Sequence, residues 1–287
     1  MSCCNENKSC GHQKLKGSSS FVGITANWNN NAINTLKCCE LIKCRSCQIC
    51  PSHILVSNNK TQEKQKLGEY LEEKKICMVV HAPLWINLAN PETQAKSKGV
   101  LQHQYYDIQD LPAVLNFHIG SGGSLENVIE SINSISPKAG KSIGYETQLV
   151  AEVSAGTGTQ LGKNFTELRK LYEGIDKSNY MGICYDTQHG FGAGMCDYQG
   201  HESIVKLFDN LEECANVRAI HLNDSKVEYN SLVDRHAGIG KGHIWSKNDE
   251  SLKSLLQRIV ESEIPTVLET GSSQLNDIKK IQGYFEE

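Results

Sequence analysis

No segment of this 287-residue chain approaches the ~18–20 continuous apolar residues of a membrane span. Nothing in it therefore predicts a transmembrane helix or a membrane partner. The opening residues, Met-Ser-Cys-Cys-Asn-Glu, lack the apolar core of a secretory signal, so the expected compartment is reducing, cytoplasm or nucleus. In that setting twelve cysteines argue against a disulfide framework and toward free thiols or metal. Internal repeats are missing, and no glycine-rich dinucleotide fingerprint follows the first strand-like run. Positive charge is also in short supply. A net charge of −4 by itself speaks against a nucleic-acid substrate, but three divalent ions would add six positive charges and carry it to +2. Local field, rather than bulk charge, decides whether a phosphate is attracted.

What is present is a regular alternation. Strand-like runs cover 20–25, 47–50, 76–81, 113–118, 148–153, 181–185, 217–222 and 266–269. Several are short continuous apolar runs, as expected of strands buried on both faces. Between them apolar residues recur at helical spacing: Leu125, Val128, Ile129 and Ile132; Phe165, Leu168 and Tyr172; Ile204, Val205, Phe208 and Leu211; Leu252, Leu255, Leu256 and Ile259. Residues 60–75 read as a charged, solvent-facing helix. Eight strands alternating with helices predict an α/β fold, a single (β/α)8 TIM barrel over residues 20–287, with its site at the C-terminal strand ends. Residues 1–19 read as a polar, cysteine-containing tail. Residues 139–147 read as a polar, glycine-containing connection.

Nine acids and imidazoles stand at or just beyond those strand ends. His81, His118, Glu152, His221 and Glu269 close strands three, four, five, seven and eight, and Asp186 follows strand six. His189, Asp234 and His236 lie on the loops after strands six and seven. Loops at that end of a barrel converge on its axis, so the nine are expected to meet. Neutral imidazole with carboxylate is a ligand set for zinc, with manganese as the competitor. Four carboxylates buried together without metal would repel and take up protons. With ions ~3.5–4 Å apart, Glu152 could bridge two of them and a shared water would ionise more readily. His12, His53, His103, His201 and His243 have no such placement.

At these residues the chain resembles the endonuclease IV family of apurinic/apyrimidinic (AP) endonucleases. The resemblance spans about residues 20–285 and rests on seven segments. They are His-Ala-Pro-Leu-Trp-Ile-Asn-Leu at 81–88, Leu-Asn-Phe-His-Ile-Gly-Ser at 115–121 and Glu-Val-Ser-Ala-Gly-Thr-Gly-Thr-Gln-Leu-Gly at 152–162. Asp-Thr-Gln-His-Gly-Phe-Gly-Ala-Gly at 186–194 and His-Leu-Asn-Asp-Ser-Lys at 221–226 follow. Val-Asp-Arg-His-Ala-Gly-Ile-Gly-Lys-Gly at 233–242 and Leu-Glu-Thr at 268–270 complete the set. The resemblance implies three zinc ions per chain, the first on His81, His118 and Glu152. The second would sit on Glu152, Asp186, His221 and Glu269, and the third on His189, Asp234 and His236. It implies cleavage 5′ to an abasic site in double-stranded DNA, leaving a 3′-hydroxyl and a 5′-deoxyribose phosphate. Repair of blocked 3′ ends is implied too. Glu152 and Glu269 would be the catalytic carboxylates, and a monomer is expected.

The chain departs from the family where the lesion is read. Many members carry a tyrosine three residues after the first ligand histidine. Here that position is Leu84, followed by Trp85. Residues 50–58 contain no arginine to fill the DNA stack, although Leu55 could act as an apolar wedge. Lys226, Arg235 and Lys241 lie beside ligand positions as candidate phosphate contacts.

Eight cysteines fall within residues 1–50, among them Cys44, Cys47 and Cys50 at every third position. Cys3, Cys4, Cys10 and His12 cluster in the tail. An extra metal site or a redox pair is one reading. Core filling is favoured for most, because Cys47 and Cys50 would point to opposite faces of a strand. Two other functions compete with the nuclease. A sugar isomerase or epimerase on a related barrel needs one or two metals. A non-catalytic DNA-damage binding protein needs none of the nine ligands.

Overall fold

The computed structural model describes residues 15–26, 32–51, 60–109, 111–135, 148–176 and 181–285. Leu55, the tail cysteines and the 139–147 connection lie outside them. Eight parallel strands close into a barrel: β1 (Val22–Ala26), β2 (Ser46–Ile49), β3 (Cys77–His81), β4 (Ala113–His118), β5 (Gln148–Glu152), β6 (Met181–Asp186), β7 (Val217–His221) and β10 (Thr266–Leu268). Neighbours in sequence are neighbours in the barrel, and β10 returns to β1 with Val22 opposite Thr266. A two-stranded hairpin, β8 (Asp224–Ser225) and β9 (His236–Ala237), stands outside it.

Nine helices are found among the described residues: α1 (Ala32–Ile42), α2 (Lys60–Lys74), α3 (Pro91–Ile108), α4 (Leu125–Ser134), α5 (Phe165–Gly174), α6 (Thr187–Gly192), α7 (His201–Glu212), α8 (Asp249–Glu261) and α9 (Gln274–Gln282). Short polar caps start several of them. Asn90 accepts from Glu92 N at 2.9 Å, with Pro91 opening α3, and Asn164 accepts from Glu167 N at 2.9 Å at the start of α5. α8 buries Leu252, Leu255, Leu256 and Ile259, each stabilising by roughly 1.5–3 kcal/mol. At the described start of the chain, Leu15 N donates to Tyr284 O at 2.8 Å. Among the described residues no helix is long and apolar enough to cross a membrane.

Side-chain alternation along the strands divides the core in two. One layer lies between strands and helices and includes Leu36, Ile49, Met78, Leu115 and Phe117. The other fills the barrel: Val79, Val114, Val150, Cys184, Ala219 and Val267. Two residues further along each of those strands, on the same inward face, stand His81, Asn116, Glu152, Asp186, His221 and, just past β10, Glu269. The apolar plug is therefore the floor on which the polar residues stand.

Candidate metal centre and active site

The nine expected ligands meet at the C-terminal mouth of the barrel. Glu152 Oε2 lies 3.3 Å from His81 Nε2 and 3.4 Å from His118 Nε2. Its other oxygen is 3.3 Å from His221 Nδ1, which also faces Glu269 Oε2 at 3.1 Å and Asp186 Oδ2 at 3.8 Å. Asp186 Oδ2 in turn is 3.5 Å from His236 Nε2. Asp234 places one oxygen 3.2 Å from His236 Nε2 and the other 3.3 Å from His189 Nε2.

Besides a group that sets the Cys184 thiol beside Glu152 and His221, three groups of imidazole and carboxylate alone have ligand atoms that all lie within 4.8 Å of one another: His81, His118 and Glu152; Glu152, Asp186, His221 and Glu269; and Asp186, His189 and His236. Glu152 thus joins the first two groups, as the sequence suggested. Asp186 joins the last two, a second shared carboxylate that the sequence reading did not identify. Two placements are also sharper than expected. Asp186 ends β6 and caps α6, and His189 stands in the first turn of that short helix rather than on a loop.

The surroundings fix which nitrogen each imidazole turns inward. His81 Nδ1 faces the Ala82 carbonyl at 2.6 Å and His189 Nδ1 faces the Val153 carbonyl at 2.9 Å. Carbonyls only accept, so those nitrogens carry the hydrogen and both Nε2 lone pairs point into the site. His221 is held the other way round, with Nε2 against Gln48 Oε1 at 2.8 Å. Gln48 also donates to Glu269 Oε1 at 2.5 Å, Asn116 donates to Glu152 Oε2 at 2.6 Å, and Asn223 donates to Asp186 Oδ2 at 2.8 Å. These three amides were not singled out from sequence. Asn116 is two residues before His118 on one strand, and that spacing was the available signal.

Two buried side chains hold the backbone around these ligands, Gln188 at residues 233–235 and Asp224 at residues 240–244. Gln188 donates to Val233 O at 3.0 Å and accepts from Arg235 N at 3.2 Å. Asp224 accepts from the backbone N–H groups of Gly240, Gly242 and Ile244 at 2.9–3.0 Å. Gly242 must be glycine, since a Cβ there would sit 2.2 Å from Ser225 O.

The donor set suits divalent cations. Nε2 of His189 and of His236 is buried without a properly directed hydrogen bond, although carboxylate oxygens stand within 3.5 Å. Lone pairs and carboxylates facing one another at such range repel unless a cation or a proton lies between them. With protons alone, burial would depress His236, yet Asp186 and then Asp234 outweigh it and raise it to about 9. Burial likewise opposes ionisation of Glu269, but His221 holds its carboxyl down at about 2. Glu152 is lowered and His81, His189 and His221 are raised, in each case by the facing charges against the effect of burial. Metal ions would replace those protons.

A cleft of about 250 Å³ opens over the centre, lined by Leu84, Trp85, His118, Glu152, His189 and Asp234 among others. Leu84 is 74% exposed and Trp85 43%, both unusual for large apolar side chains. Lys96 Nζ lies 4.9 Å from the Trp85 ring centre. Lys226, Arg235 and Lys241 are exposed, and Arg235 Nη1 donates to Asp234 O at 2.8 Å.

The family model described as xylose isomerase-like TIM barrel matches residues 44–277. A probable endonuclease 4 of Alkaliphilus oremlandii (strain OhILAs) is 31% identical over 219 residues, covering 73% of this chain and 75% of that protein. The chain belongs to the endonuclease IV family. Apurinic-apyrimidinic endonuclease 1 of Plasmodium berghei (strain Anka) is 31% identical over 227 residues, 75% of this chain and 43% of that protein. Among solved structures, endonuclease IV from Thermus thermophilus superposes with a TM-score of 0.76 over 92% of this chain and 98% of its own. At 23% identity that likeness shows the barrel shared by the family, and no more.

Proposed function

We propose that this chain is a zinc-dependent AP endonuclease acting on duplex DNA. It hydrolyses the phosphodiester 5′ to an abasic site, leaves a 3′-hydroxyl and a 5′-deoxyribose phosphate, and also clears blocked 3′ ends. Family membership makes it a nuclease, a hydrolase of ester bonds. The observation that carries the finer reading is the row of three ligand groups joined by Glu152 and Asp186. A sugar isomerase or epimerase on the same barrel has no use for the group formed by His189, Asp234 and His236.

The three zinc sites are those grouped above, with Asp234 completing the third and manganese an alternative in one of them. Bound there, the ions would lower the pKa of a water and neutralise charge on the phosphate oxygens. The protein's own residues do the positioning. Gln48, Asn116 and Asn223 fix the orientation of Glu269, His221, Glu152 and Asp186, so little reorganisation is needed on reaction. Lys226, Arg235 and Lys241 would take the flanking phosphates and set the register of the duplex. Leu84 and Trp85, on the loop after β3, would enter the gap left by the missing base, with Lys96 steadying the indole and adding positive charge. One chain carries the complete ligand set, so a monomer suffices.

The test is incision of a duplex bearing one tetrahydrofuran residue, an abasic analogue that cannot undergo β-elimination. Cutting on its 5′ side that stops with a zinc chelator and returns on adding zinc is expected. An uncut duplex with metal-loaded protein would overturn the proposal.

A further inference from the structure

Away from the barrel mouth, four cysteines meet where α1 packs on β2. Cys38 and Cys39 lie in the C-terminal half of α1, Cys44 follows the helix, and Cys47 is on β2. The Sγ atoms of Cys38, Cys39 and Cys47 all lie within 4.8 Å of one another. Cys44 makes a thiol contact with Cys39, and both approach the Ser46 carbonyl, at 3.2 and 4.0 Å. Cys39, Cys44 and Cys47 are buried, Cys38 is half-buried, and none forms a disulfide.

Core filling accounts for where these residues are, but not for their sulfurs converging, since any small apolar side chain would fill the same space. A tetrahedral zinc site with Zn–S bonds of about 2.3 Å separates its sulfurs by about 3.8 Å. Three of the four sulfurs already lie within 4.8 Å of one another, and Cys44 adjoins them through Cys39. Thiolates favour zinc and other soft cations, and a four-cysteine set with no open position is the usual structural arrangement.

We propose that Cys38, Cys39, Cys44 and Cys47 bind one Zn²⁺ as a closed structural site, separate from the metal centre at the barrel mouth. The four thiols release four protons to solvent as the ion binds, which leaves a local charge of −2. Lys43 and Arg45, on either side of Cys44 in the chain, offset part of it. Without metal, contact with Cys38 raises Cys39 and Cys47 and keeps them protonated. The site ties the end of α1 to β2. The residue after Cys47 is Gln48, which faces the barrel interior and orients His221 and Glu269.

Cobalt substitution of the full-length protein tests this. The nine barrel-mouth ligands are nitrogen and oxygen, but the Cys184 thiol stands beside Glu152 and His221. Each protein is therefore also measured with Cys184→Ala, where thiolate-to-cobalt charge-transfer absorption in the near ultraviolet can come only from cysteines away from the mouth. The band is expected in the wild type, in Glu269→Gln, and in a Cys3→Ser/Cys4→Ser/Cys10→Ser variant. It is expected to vanish in Cys39→Ser/Cys47→Ser, together with one zinc per chain by elemental analysis. Should that variant fail to fold, zinc K-edge absorption of the Cys184→Ala protein must still show Zn–S scattering at about 2.3 Å. No sulfur band, no Zn–S scattering, loss of the band in the tail variant, or a wild-type mass two hydrogens short (a disulfide) would each overturn the proposal.

Discussion

Glu269 and Asp234 carry charge that glutamine and asparagine of the same shape do not. Each side chain reaches only imidazoles, amides and the centre itself, so these replacements leave packing intact. Glu269→Gln and Asp234→Asn are expected to lower incision by about 10²–10³-fold or more while melting within a few degrees of the wild type. Near-normal cutting by either would contradict the ligand assignment. Gln48→Ala removes no ligand, yet frees Glu269 and leaves His221 Nε2 without its acceptor. A loss of about 10–100-fold in zinc affinity or activity is expected. Competition against a chromogenic chelator measures the first and gel-resolved incision the second. That these nine acids and imidazoles meet was legible because each closes or follows an apolar run, where a charged group is hard to explain otherwise. The clamping amides were not, since neutral Asn and Gln look like ordinary polar residues whether inside a strand, as Gln48 and Asn116 are, or just past one, as Asn223 is. Their work shows only in the pairings across the barrel, Asn116 with Glu152, Gln48 with Glu269 and Asn223 with Asp186.

The hairpin of β8 and β9 matters most among the secondary-structure elements. Its strands hold Ser225 opposite His236 and so aim the last two ligands. Asp224 anchors it by accepting from Gly240 and Gly242 through one oxygen and from Ile244 through the other. Asp224→Asn leaves the partly buried N–H groups of Gly240 and Gly242 without an acceptor, which is expected to cost about 1–3 kcal/mol. Urea unfolding would show that loss, and unchanged stability would contradict the anchoring role. The barrel strands were read almost to the residue, because runs buried on both faces stand out from charged surroundings. α3 was not read at all. Its buried face includes Ser97, Gln104 and Asp107 beside Leu101, Tyr105 and Ile108, so no apolar stripe marks it. α6 was read as a loop because it is short and glycine-rich. Asp186 as its N-cap, accepting from Gln188 N and His189 N, was the signal that could have found it.

For the molecule as a whole, the cluster of acids and imidazoles at the barrel mouth sets how stability depends on pH. In the metal-free protein His236 is raised from 6.5 to about 9, so its contribution is complete below 6.5 and is lost as pH rises through 9. Glu269 is lowered from 4.5 to about 2, so its contribution is present above 4.5 and is lost as pH falls through 2. Thermal melts of chelated protein should therefore peak between about 4.5 and 6.5 and decline toward 9. With zinc, stability should instead grow on that alkaline side, because binding requires deprotonated ligands. Metal-free protein that keeps its full stability at pH 9 would contradict this. The central claim is that three ions share Glu152 and Asp186 at the barrel mouth, and anomalous diffraction at the zinc edge from crystals of the native protein tests it most directly. Three peaks are predicted there, with Glu152 between the first and second and Asp186 between the second and third. Fewer than three peaks in that cleft, or peaks that touch neither carboxylate, would contradict it.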